Sequence, residues 1–97
     1  MEKFSFKEYA PSLSAKVTAE SIFNQIMALN PQSTKVEIDM SDMVAMTTIC
    51  ARVIFGGLYI SLGKETFKNN ISIVGGSESI RIVINWGIES AIEARES

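Results

Sequence analysis

This sequence predicts a small two-layer α/β domain: a mainly parallel sheet of about three or four strands, with its helices on one face. Three observations lead there. The apolar period switches from two residues to three-and-four and back along the chain, in the order β-α-β-α-β-α. The segment Lys35 to Met40 alternates charge with apolar side chains, so its strand has one covered face and one open face. The 97 residues contain 46% hydrophobic and 21% charged residues, enough apolar side chains for one core and too short a chain for two. The whole span 1–97 is therefore read as a single domain.

Each element follows from its own pattern. Phe4 and Phe6 alternate with Lys3, Ser5 and Lys7, a short strand that Pro11 and Ser12 end. Ala15, Ala19, Ile22, Phe23, Ile26 and Leu29 recur at helical spacing, so an amphipathic helix starts between Ser14 and Thr18 and stops at Asn30-Pro31. Val36, Ile38 and Met40 face the core from the next strand, with Lys35, Glu37 and Asp39 on the other side. Ser41 to Met46 makes a turn, and Thr47 or Thr48 caps a long helix to about Leu62. Ile49, Cys50, Val53, Ile54, Leu58 and Leu62 give it a broad apolar face that Phe55, Tyr59 and Ile60 widen nearly all round. Such a helix is either central or touches a partner. Gly56-Gly57 loosens its middle and Gly63 closes its end.

Lys64 to Asn70 reads as a polar loop, and Ile71-Ser72-Ile73-Val74 as the third strand. Gly75-Gly76 turns the chain and Ser77 caps a last helix. Ile80, Val83, Ile84, Ile88, Ala91 and Ile92 carry that helix to about Ala94, with Gly87 a place for a kink. Helical crossovers make the strands parallel, leaving the first free to pair antiparallel at an edge.

The totals exclude several functions. A net charge of −2, from 9 basic and 11 acidic residues, gives no pull toward nucleic acid or anionic lipid. Met43 to Gly63 is long enough to span a bilayer, but Arg52 at its centre would cost at least ~2.5 kcal/mol there, so a buried helix is expected and no membrane partner. With no histidine, there is no Ser-His-Asp triad, Cys-His pair or histidine metal site. The single cysteine, Cys50, forms no intrachain disulfide, builds no metal cage and falls on an apolar helix face as an inert thiol. Asp39 and Asp42 are a carboxylate pair with too few companions to hold a cation. Gly75-Gly76-Ser77 lacks the spacing of a phosphate loop. No catalytic residue, metal site or cofactor is assigned, and a cytoplasmic setting is expected because no signal core precedes Lys7.

The stretch from Val36 to Gly56 resembles the heart of STAS domains of the anti-sigma-factor antagonist type. In that pattern an apolar strand leads to an Asp near a turn, then to a phospho-acceptor stretch and a helix of small and branched residues. Asp42 sits where the family often has Asp, Met43-Val44-Ala45-Met46 fits its short apolar stretch, and Thr47-Thr48-Ile49-Cys50 falls on its Asp-Ser-Ser-Gly motif. A fainter likeness extends over Leu13 to Ile92. The resemblance implies a STAS-like fold and a non-catalytic, protein-binding regulatory domain in a partner-switching system. An ATP-binding kinase of the anti-sigma type would dock near the acceptor loop and be released by phosphorylation. Thr48 lies on the acceptor serine and Thr47 on the preceding Asp. The chain departs from the pattern at Thr47 and at Cys50, which stands where the family has Gly. Thr47, Thr48, Asp42 and Arg52 are thus the expected partner-binding residues. The alternative expectation is a structural module whose wide apolar helix face seals a homodimer.

Overall fold

A computed structural model describes residues 1–96. Three strands form a parallel sheet: β1 (Glu2–Ser5), β3 (Val36–Asp39) and β5 (Ile71–Val74), in the order β1-β3-β5. β3 is the centre. Phe4 lies beside Ile38 and Ile38 beside Ile73, while Ser5 lies beside Asp39 and Asp39 beside Val74. Because side chains alternate along each strand, this register gathers Phe4, Val36, Ile38, Ile71 and Ile73 on one face. Lys3, Ser5, Glu37, Asp39 and Ser72 share the other with Val74. The first strand occupies an edge as expected, but it pairs parallel, not antiparallel.

The covered face meets the helices. α1 (Lys16–Met27) buries Ala19, Ile22 and Ile26. Its first turn follows Ala15, which offers no side-chain cap, and the chain leaves it through Asn30 in the left-handed region (φ 58°). A continuous helical stretch then runs as α2 (Thr48–Ala51), a π-helical segment (Arg52–Gly56) and α3 (Gly57–Leu62). It ends at Gly63, whose φ of 86° suits glycine. α5 (Glu78–Glu96) is the long last helix, opened by the Ile80 N–H donating to Ser77 Oγ (3.3 Å). Helices and sheet share one core, with Phe6, Ile22, Ile26, Ile38, Met40, Ile54, Phe55, Leu58 and Ile80 all fully buried. The rings of Phe6 and Phe55 stack at its centre, 6.2 Å apart.

Four features differ from the sequence expectation. Lys64–Asn70 is a helix, α4, not a loop; Phe67 anchors it against Tyr59, ring to ring at 5.5 Å. A second, two-stranded parallel sheet joins β2 (Ser12–Leu13) to β4 (Ala45–Met46) inside what reads as a turn. Ile49 is 59% exposed and belongs to no buried face. Gly56 and Gly87 do more than lower helix propensity. They are where α5 presses backbone to backbone on the π-helical segment, since a methyl built on Gly87 would stand 2.6 Å from the Ala51 carbonyl carbon. Among the described residues, no helix is long and apolar enough to cross a membrane, and Met43 to Gly63 instead supplies the helix beneath which the core closes.

Candidate functional site

The two threonines stand at the start of α2, and the second small sheet holds them there. The Val44 and Ala45 N–H groups donate to the Pro11 carbonyl (2.7 and 3.2 Å), and the Thr47 N–H donates to Leu13 O (3.0 Å). Thr47 has an extended backbone and its Oγ1 accepts the Cys50 N–H (3.3 Å), an N-cap. Its hydroxyl is thus committed to the helix. Thr48 is the first helical residue, exposed, and its hydroxyl makes no hydrogen bond among the described residues. Cys50, at the position where the resembled motif has Gly, is fully buried and helical.

Arg52 lies one turn beyond Thr48, and its backbone N–H donates to the Thr48 carbonyl. The two residues therefore share a helix side, with the guanidinium exposed. Asp42 is exposed in the turn after β3 and is not brought to the threonines by any contact. Its neighbour Asp39 is tied locally: Ser41 donates to Asp39 Oδ1 from its hydroxyl and from its N–H (2.9 Å). These bonds, the hydroxyl first, hold the Asp39 carboxyl below its ordinary pKa. No cluster of metal-ligating side chains occurs among the described residues. Val44 is 61% exposed and Ile49 59%, so bare apolar side chains flank the threonines on both sides.

One turn further, the helix changes character. The Gly57 N–H reaches back five residues to the Arg52 carbonyl, a π-helical bond of the kind that interrupts helices at functional positions. Here Ile49, Arg52, Val53, Gly56 and Ile60, with Lys16 of α1 and Ala91 of α5, line an open groove of about 600 Å3. Of these residues the sequence pointed only to Arg52 as functional. Tandem Gly56-Gly57 and the Gly87/Ala91 pair, one turn apart, were the available signal: small residues repeated at helical spacing mark close helix approach. Trp86, 58% exposed, was also legible, because it falls off the Ile80-Val83-Ile84-Gly87 face.

The chain has no match among protein-family models, curated proteins or solved structures.

Proposed function

We propose that this chain is a non-catalytic protein-binding domain of the cytoplasm, a regulatory partner-switching module of the STAS-like kind, with Thr48 as its phospho-acceptor. The observation that carries the reading is the division of labour between the two hydroxyls. Thr47 caps the helix, whereas Thr48 is exposed and uncommitted at the helix start, between the exposed apolar side chains of Val44 and Ile49.

Physical chemistry supports a switch at this place. A phosphate on Thr48 would add about two negative charges at the positive end of a helix, with Arg52 one turn away. It would change the charge of a docking surface without any need to unfold the domain. The ATP-binding anti-sigma-type kinase implied by the resemblance is the proposed partner. Asp42 contributes only as an exposed acid before the loop.

The experiment is affinity capture from native lysate with wild type and Thr48→Glu, read by mass spectrometry. Retention of an ATP-binding kinase by wild type and its release by the variant supports the switch. Retention of the same kinase by both, or of no kinase by either, overturns it.

A further inference from the structure

The groove lined by α1, the stretch Thr48–Leu62 and α5 combines apolar side chains with an excess of cations. Ile49, Val53, Gly56 and Ile60 recur along it at steps of four, three and four residues, so one side of that stretch lines the groove for about 16 Å, or three turns. At Ile60 the groove meets a second hollow, of about 420 Å3, lined also by Tyr59, Lys64, Ile92, Arg95 and Glu96. On the α1 side a third hollow, with Phe23 and Glu20, meets it at Val53 and Gly57. Together the three bring four of the chain's 9 basic residues, Lys16, Arg52, Lys64 and Arg95, against two of its 11 acidic ones. The groove is thus positive on a chain whose net charge is −2. All four cations are exposed, and among the described residues their side chains make no hydrogen bond or ion pair.

We propose that this groove docks an acidic amphipathic helix of a partner protein. A row of apolar side chains three turns long receives the apolar face of such a helix, which carries its own anchors at three- and four-residue steps. Carboxylates flanking those anchors meet the cations, whereas a basic helix would oppose them. The four cations come from four elements: Lys16 from α1, Arg52 from the π-helical segment, Lys64 from α4 and Arg95 from α5. Charges distributed in this way suit several carboxylates, one on each turn of a helix, better than the single headgroup of a fatty acid. The inference goes beyond the Thr48 switch. It needs no phosphate, and its test leaves that residue untouched.

The test titrates the full chain, labelled with nitrogen-15, with a synthetic helix of about sixteen residues that sets Leu at three- and four-residue steps and Glu on both flanks. Amide shifts are followed by NMR. The expected result is saturable binding, with the shifted amides clustered at Ile49, Arg52, Val53, Gly56 and Ile60. The same helix with Lys for every Glu binds at least about tenfold more weakly. Arg52→Glu and Lys64→Glu each weaken the acidic helix about fivefold or more, and added salt weakens it on wild type. Should Arg52→Glu fail to fold by circular dichroism, Lys16→Glu on a different helix gives the same reading. An acidic helix that does not bind overturns the proposal, as does one that the Lys helix equals or that the charge reversals leave unchanged. Shifts confined to another face overturn it, and so does a groove that laurate fills and the helix does not. Sedimentation velocity showing that the chain pairs with itself through these residues, and that the helix does not displace the copy, overturns it too.

Discussion

Gly87 of α5 lies against the backbone of Ala51, so closely that a single methyl group on it would stand 2.6 Å from the Ala51 carbonyl carbon and 2.7 Å from the Arg52 nitrogen. Neither atom can turn away, because both belong to main chain. The crossing of α5 over the π-helical segment is therefore set by the absence of one side chain. Gly87→Ala gains about 1 kcal/mol of helix propensity but forces two helices apart, and a net loss of about 2 kcal/mol is expected in thermal or denaturant unfolding. Gly57→Ala is the contrast: its methyl meets the ring of half-buried Phe23 at 2.9 Å, and a side chain can rotate. It should stay within about 1 kcal/mol of wild type.

The stacked pair of Phe6 and Phe55 joins the end of β1 to the π-helical segment across the core, with both rings fully buried. Phe55→Ala should lower stability by about 3–5 kcal/mol. Urea unfolding measures this as a fall in the midpoint with the slope retained. A loss near 1 kcal/mol would mean that the core collapses around the hole.

Stability separates the two threonines. Thr47→Ala removes the acceptor of the Cys50 N–H and should cost about 1 kcal/mol, most of it recovered by Thr47→Ser. Thr48→Ala should change stability by less than about 0.5 kcal/mol. Equal losses at both positions would contradict the assignment of the cap to Thr47.

Asp39 gives the pH dependence. Its carboxyl titrates below the ordinary value in the folded chain because Ser41 donates to the ionised form. A lowered folded pKa means that its contribution is fully present above the unfolded-state value near ~4 and is lost as pH falls through the lowered value. Ser41→Ala removes the largest of the causes that lower it. The Asp39 pKa followed by NMR should then rise toward the ordinary range, and the acid-side loss of stability should shrink. An unmoved titration would show that the Ser41 hydroxyl does not bond the carboxylate in solution.

Much of this fold is legible in the residues. Strict alternation in Val36-Glu37-Ile38-Asp39 gives both the strand and its open face. The Ile80, Val83, Ile84 spacing gives α5, and Thr47, Ser77 and Gly63 give helix ends by their chemistry. The misses have physical causes. α4 has one apolar anchor, Phe67, and one residue makes no period. β2 and β4 are two residues each, too short to alternate, and the bonds that create them join Pro11 and Leu13 to residues more than thirty positions on. Ile49 fits the apolar helical pattern as well as Cys50 does. Only the packing of α5 beside Ala51 and Arg52 decides which of them is covered. The groove is the least legible part, because residues far apart in the chain, from α1, the helical stretch Thr48–Leu62 and α5, line it together.

The sheet's uncovered side has a practical use. Ser72 is exposed there, on the face that also carries Glu37 and opposite the buried Val36 and Ile38, while Cys50 is wholly enclosed. A Ser72→Cys variant would carry one thiol open to a reagent and one sealed from it. Coupling through that atom would tether the molecule to a sensor chip by its back, in one orientation, with the threonines, the groove and Trp86 all left free to meet whatever flows past.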